Sequence, residues 1–441
     1  MRHLPAIFAL LAVVSANAQT APENQSTPTS SSAVNITRTE VEQLALKNNP
    51  RISAAHLLAL AAGQVTREVR SAELPQIGSN LTAVKAEDAS RIGAGALNPS
   101  SLYTHVGAGG TLSQLITDFG RTHNLAENAK LLARAQEQDT KATEQDILLA
   151  TDQVFYRLLD AQSLLDVANA TVKARRDVFQ LTQALTKSAL KSELDLNVAA
   201  ADMSQAQLLQ LDAENSVASA QAELLALLAA PSDVSYRAVG DSEAIVAPPA
   251  LSQPLIDEAH AQRPDLAAAQ SQVAADQKFF KAQQEQRLPT ISANAIGGIT
   301  PVRPDGAFQE NWYAAAGVNL SLPLFTGFRI SAETKEARLR EEADEKRRED
   351  LGNSISRDVR VAVLSAQTAY QRINVTANYE KEAAQALELA RTRYKLGLSS
   401  IVELSQAQLQ STQASVEAVN ARFDYLLALR SLAYARGLLI P

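Results

Sequence analysis

Between residues 312 and 324 the chain alternates. Trp312, Ala314, Ala316, Val318, Leu320, Leu322 and Leu324 fall in one phase; Tyr313, Ala315, Gly317, Asn319 and Ser321 fall in the other. A period of two, with one apolar face and one small or polar face, predicts a β-strand. Such a strand lies either between lipid and an aqueous lumen or over an ordinary half-buried core. The alternation runs into LSLPLFTGFR (320–329), after which a long charged helical pattern begins. LSQLITDFGR (112–121) makes the same passage, and adding 208 to its numbers lays one phrase over the other. An internal repeat therefore organises the chain.

The repeat extends upstream. VEQLALKNNPRISAAH (41–56) matches LIDEAHAQRPDLAAAQ (255–270) at an offset of 214, and Pro50 and Pro75 return as Pro264 and Pro289. Pro50 and Pro264, preceded by Asn49 and Arg263, suit the first position of a helix. Pro75 and Pro289 end it, because each drives its predecessor, Leu74 or Leu288, into extended geometry. Each half thus predicts a helix of about 24 residues, roughly 36 Å long. Two strands follow in each half, joined by the turn-rich segments AEDASRIGAGALNPSS and TPVRPDG. The fall in offset from 214 to 208 makes the second connection six residues shorter.

From Leu112 to Ala229 the offset of 208 holds without a gap: Ile147 meets Ile355, Ala161 meets Ala369, Leu181 meets Leu389 and Leu196 meets Leu404. No proline interrupts 121–230 or 329–440; the breaks are Ser188-Ala189-Leu190 and Leu396-Gly397-Leu398-Ser399-Ser400. Each half predicts a descending helix from 121 to about 189 or its equivalent, near 100 Å long, then a turn and a return helix near 60 Å. With the 36 Å helix stacked on it, the return path matches the descending one, as a hollow cylinder of paired helices requires. The run EARLREEADEKRRED (336–350) offers Glu342 with Lys346 and Asp344 with Arg348 at i,i+4, which reads as a solvated helix face rather than a nucleic-acid patch.

Composition narrows the setting. The N-terminus has Arg2 and His3, an apolar run from Leu4 to Val14 and then Ala16-Asn17-Ala18, the pattern of a secretory leader over 1–18. Its apolar core is too short to span a bilayer as a helix. Export tips the strands toward a membrane barrel. A flexible segment over 19–36 and repeats at 37–239 and 240–441 complete the expected organisation. The chain holds no cysteine, which removes disulfides, thiolate metal sites and a lipidated N-terminal cysteine. A net charge of −7 supplies no basic surface for nucleic acid. His56, His105, His123 and His260 are scattered, and no Ser/His/Asp grouping recurs, so neither enzyme nor cofactor is expected. Four strands cannot close a membrane barrel, since about eight is the smallest workable number. Two copies would give eight strands and a filled interior; three would give twelve and an open lumen.

The NNP and RP helices, the two strand-to-helix phrases and RYKLGLSSIVEL (393–404) together resemble the TolC family of outer membrane factors over essentially the whole mature chain. The resemblance implies a mainly α fold with a β-barrel part. Long helical hairpins form a periplasmic tunnel, and four strands per chain contribute to a trimeric, twelve-stranded outer-membrane barrel. It implies a homotrimer in outer-membrane lipid whose tips meet a periplasmic adaptor and, through it, an inner-membrane pump. The function implied is a passive exit duct for efflux or type I secretion. Gly120, Pro323 and Gly327 fall where barrel becomes tunnel. Tyr394, Gly397, Leu398 and Glu403 occupy the family's second-tip places, and Asp195 the acidic place of the first tip, so Asp195, Tyr394 and Glu403 are the expected periplasmic gate. A bond from the Tyr394 phenol to the Asp195 carboxylate is the expected lock. Ala189 stands where glycine is common, Ser399 where some members have arginine, and Gln406 where a second aspartate can stand. Ala189, Leu190, Leu396, Gly397, Leu398 and Ile401 are the expected adaptor contact. The rival reading, an adhesive or structural coiled-coil envelope protein, would lack amphipathic strand pairs at matching points of both repeats.

Overall fold

The computed structural model describes residues 34–85, 91–94, 97–101, 105–240, 245–299 and 312–439. The leader over 1–18, residues 19–33 and the TPVRPDG connection lie outside the described residues. The first half runs β1 (Val34–Ile36), α1 (Arg38–Asn48), α2 (Pro50–Arg70), β2 (Gln76–Val84), β3 (Arg91–Ala94), β4 (Leu97–Ser101), β5 (His105–Thr117), α3 (Arg121–Lys187) and α4 (Glu193–Leu227). The second runs β6 (Tyr236–Ala238), α5 (Gln253–Gln262), α6 (Pro264–Glu285), β7 (Thr290–Ile299), β8 (Trp312–Ser321), α7 (Arg329–Lys395) and α8 (Ile401–Ala435).

The gapless offset has its counterpart in length: α3 and α7 each hold 67 residues, α4 and α8 each 35. At 1.5 Å per residue these are about 100 Å and about 52 Å. What keeps such helices paired is spacing. Ala126, Ala133, Thr140, Ile147, Ala161, Ala168, Arg175 and Thr182 of α3 are buried at multiples of seven, as are Ala199, Ala206, Ala213 and Ala220 of α4. A seven-residue seam imposes a left-handed supercoil, and alanine in it lets the helix axes approach closely. The helices after Pro50 and Pro264 are 21 and 22 residues, slightly shorter than predicted. In the first half a 3₁₀ turn over Ser71–Glu73 precedes Pro75. The short helices α1 and α5 before those prolines, and the parallel pairing of β1 with β6, are additions to the sequence reading.

Around the shaft α3 packs on α2 and α6 at one level and on α4 and α8 at the other; α7 packs on α6 and α8. The sheet has the matching order β2-β5-β7-β8, antiparallel throughout. Each level therefore ends in the same way, with β2, α2 and α4 at one free edge and β8 and α7 at the other. Leu57, Leu58 and Leu60 on α2, Leu208 and Leu211 on α4, and Val361, Leu364 and Leu389 on α7 are exposed.

Register sorts the sheet into two faces. Ile77, Leu112, Ala295 and Ala316 share one rung, and Leu81, Ala108, Ile299 and Trp312 another on the same face. Ile77 is 83% exposed and Leu81 78%. The opposite face carries the rungs Gln76, Ser113, Asn294, Gly317 and Asn80, Gly109, Gly298, Tyr313. An apolar face left uncovered beside a small, polar one fits lipid outside and water inside. Among the described residues no helix is long and apolar enough to cross a membrane. The strand does not run through Pro323, as the alternation to Leu324 implied; β8 ends at Ser321, since proline offers no N–H to a ladder. On α7 the charged run pairs locally, though with other partners than anticipated: Arg338 with Glu342, Arg340 with Glu336, Lys346 with Glu349 and Arg347 with Asp344.

Candidate functional site

Each descending helix must reverse at its far end, and both do so with one backbone device. At the first tip Ala189 has φ 55° and Leu190 N–H donates to Leu185 O at 2.9 Å; at the second Gly397 has φ 75° and Leu398 N–H donates to Arg393 O at 2.8 Å. This is the Schellman closure of a helix C-terminus. Ser192 and Ser400 then cap the return helices by accepting from Asp195 N–H and Glu403 N–H. The Asp195 carboxylate reciprocates, accepting from Ser192 N–H at 3.1 Å and Oγ at 2.9 Å, a capping box.

The two tips share a small core of Val178, Ala199, Ala390, Tyr394, Ile401 and Leu404. Tyr394 is buried, its Oη lies 3.0 Å from Thr182 Oγ1, and the Lys191 ammonium sits 4.5 Å above its ring. Within the chain the structure does not form the expected lock: the Tyr394 phenol is engaged by Thr182, and the Asp195 carboxylate caps its own helix. The two are still close enough to interact. Burial pushes the Tyr394 phenol up, the Thr182 bond pulls it back, and the Asp195 charge adds to the rise. Glu403 Oε1 faces Arg393 Nη1 at 3.3 Å, so a compensating cation accompanies it.

Leu190, Leu396 and Leu398 are 66–69% exposed, whereas Ile401 is 3% exposed. It faces the tip core, one position before the outward Val402. Two apolar residues not singled out from sequence complete the patch: Leu194 and Val402, equivalent at the 208 offset, are 71% and 64% exposed.

At the other end of the long helices, Phe119 and Gly120 have φ 59° and 109°, and Gly327 and Phe328 have φ 60° and 64°. Two successive left-handed residues turn strand into helix in both repeats, with the glycine in first place in one and second in the other. Asp118 holds the first turn by accepting from Gly120 N–H at 3.2 Å and Thr122 N–H at 2.7 Å. Pro323 lies between β8 and the second turn.

Between tip and sheet, buried ions tie α3 to the second repeat. Arg175, 5% exposed, donates to Asp202 Oδ2 at 3.0 Å and Gln408 Oε1 at 2.5 Å. Arg430 donates to Asp152 Oδ2 at 2.5 Å and Glu42 Oε1 at 2.7 Å. Burial pushes the Asp152 carboxyl up to about 7 despite Arg430, and the Asp160 carboxyl up to about 6, with Asp424 adding to the latter. Sequence reading passed over these residues. A charge standing where the other repeat has a buried alanine, as Arg175 does opposite Ala383, was the available signal.

A sheet with an apolar outer and a polar inner face, mounted on helical hairpins near 100 Å long, defines a membrane channel with a tunnel attached. The outer membrane efflux protein model matches residues 41–230 and 255–438, and the chain belongs to that family. The outer membrane protein TolC of Vibrio cholerae is 26% identical over 427 residues, 91% of this chain and 90% of that one. The alkaline protease secretion protein AprF of Pseudomonas aeruginosa is 24% identical over 302 residues, 68% of this chain and 63% of that one. The crystal structure of VceC from Vibrio cholerae shares the fold with a TM-score of 0.79 at 19% identity, covering 91% of this chain and 96% of that one. The protein is an outer-membrane efflux channel, reaching into the periplasm.

Proposed function

We propose that three copies close edge to edge, β8 and α7 of one against β2, α2 and α4 of the next, into a twelve-stranded barrel continued by a helical tunnel. Residues 37–239 and 240–441 are the two repeats of each copy. The duct has no catalytic role; an inner-membrane pump supplies drive and selection through a periplasmic adaptor. The observation that carries the adaptor contact is the cluster of uncovered apolar side chains at the membrane-distal tips, Leu190, Leu194, Leu396, Leu398 and Val402. Gly397 shapes the turn that presents it, and Ala189 does so in the first repeat.

Leu190→Asp with Leu398→Asp is expected to abolish co-purification of the adaptor while the trimer persists in mild detergent. Gly397→Val should weaken docking less. A Cβ there would meet nothing within 4 Å, so its effect is that of the φ of 75° alone. Adaptor recovery at the wild-type level from the double aspartate variant would sink this reading.

Asp195, Tyr394 and Glu403 are the proposed gate, with Thr182 now included as the partner that holds the second tip to α3. Tyr394→Phe combined with Asp195→Asn should raise single-channel conductance in planar bilayers by loosening both tips. Glu403→Gln should lower cation preference, by a margin reduced by Arg393. Conductance and voltage response identical to wild type in the double variant would remove the gate from these residues.

A further inference from the structure

On the polar face of the sheet one side chain is out of scale. On the rungs of that face around it stand glycine, alanine, serine, threonine and asparagine, with Ile296 the one other bulky side chain between Tyr313 and the Gln76 rung. Its rung is Asn80, Gly109, Gly298, Tyr313. A Cβ added to Gly298 would lie 2.8 Å from Tyr313 Oη, and one added to Gly109, a strand further on, would lie 2.6 Å from the same oxygen. The ring therefore lies along the wall, across Gly298, with its hydroxyl over Gly109. Neither position takes a side chain without moving it. Gly297 is different: a Cβ there would make only ordinary contact, at 3.6 Å, with the Tyr313 carbonyl. At Gly298 the neighbouring strand excludes a side chain as well, since the same Cβ would fall 2.5 Å from Ala108 O and 2.7 Å from Gly109 Cα, so Gly109 is the position whose missing side chain matches the footprint of the phenol.

We infer that Tyr313 sets the bore of the barrel, and that Gly109 and Gly298 form the seat that holds its ring flat against the wall. This rests on the reading of the sheet as part of a closed barrel with the polar face inward. Seated, the ring adds its thickness to the wall. Unseated, it projects its length toward the axis, once per copy. The largest solute admitted to the barrel is then decided by a contact between one tyrosine and two glycines.

Polymer exclusion reads the bore. Neutral polyethylene glycols of graded mass are added to the barrel side alone, and the largest that lowers channel conductance marks the size that enters. Gly109→Ala, whose added methyl displaces the ring tip, is expected to lower that cut-off. Tyr313→Ala should raise it, Tyr313→Phe should leave it unchanged, and Gly109→Ala with Tyr313→Ala should restore at least the wild-type value. Narrowing that persists in the double variant would assign the effect to the backbone and overturn the inference. If Gly109→Ala does not assemble, Tyr313→Ala decides alone, and a wild-type cut-off overturns it. Failure of the barrel reading is distinct, since wild-type protein would then form no conducting channel.

Discussion

Arg430→Met is expected to destabilise the folded protein by about 3–5 kcal/mol, the usual cost of removing one partner from a buried ion pair. The substituted side chain is of similar length, so the loss is electrostatic. Arg430 supplies Nε to Asp152 and Nη2 to Glu42, while Arg38 reaches Glu42 from its own helix at 2.5 Å. Asp152 is fully buried, and its second oxygen, Oδ1, has no hydrogen-bond partner. Without the guanidinium, Asp152 and Glu42 face each other across a gap with Arg38 as the remaining cation. Asp152→Asn should cost far less, because it removes the desolvated charge and leaves Arg430 to Glu42.

The pH dependence has a definite sign. The folded Asp152 carboxyl titrates near 7 against an ordinary value of 3.8, so between those limits the folded state holds the extra proton. Its contribution to stability is full below the ordinary value and is lost as pH rises through about 7. Removing Arg430 takes away the cation that opposes burial, which moves the window upward. Thermal melts of the helical circular dichroism signal should therefore show the Arg430→Met defect larger at pH 8 than at pH 5. A variant as stable as wild type at pH 8 would show that the cluster is indifferent to its cation.

Long elements were legible because many positions vote for them. The offset of 208 carries the equal lengths of α3 and α7, and the alternation from Trp312 to Ser321 is β8. Three-residue strands such as β1 and β6 offer no period to detect, and their pairing joins residues two hundred positions apart. The tip was half legible for a related reason. Hydrophobic spacing says that Ile401 and Val402 belong to α8, but only the packed neighbours decide that Ile401 points inward and Val402 out. Tyr394 was found by its place in a motif, whereas its partner Thr182 lies on another helix, 212 residues away. Tyr313 reads as one more strand residue until register brings Gly109 and Gly298 beneath it. The buried ions were least legible, since Asp152 and Arg430 look like any solvated helix charges until the seam between α3 and α8 closes over them.

Removing a methyl at one position and adding one at its equivalent should change stability in opposite directions. Position 229 ends α4 and position 437 ends α8, both left-handed, with φ 49° for Ala229 and 77° for Gly437. Both close in the same way, Ala230 N–H donating to Leu225 O at 3.0 Å and Leu438 N–H to Ala433 O at 2.9 Å. Left-handed backbone costs an L-residue about 1–2 kcal/mol, which Ala229 bears and glycine would not. Ala229→Gly should then stabilise by roughly 0.5–1 kcal/mol once the greater freedom of glycine in the unfolded chain is set against that relief. At Gly437 a methyl would meet more than strain, because its Cβ would fall 2.9 Å from Gln262 C and 3.0 Å from Arg263 N, backbone atoms at the junction of α5 and α6. That junction is fixed by Pro264, and the Gly437 carbonyl is itself held by Gln145 Nε2 at 2.8 Å. With about 1–3 kcal/mol for an overpacked contact added to the backbone term, Gly437→Ala should cost about 2–4 kcal/mol. Melting temperatures of the two variants should move apart around wild type. If Gly437→Ala loses no more than the backbone term of about 1–2 kcal/mol, the α5–α6 junction yields to the methyl, and the glycine there is a matter of φ alone.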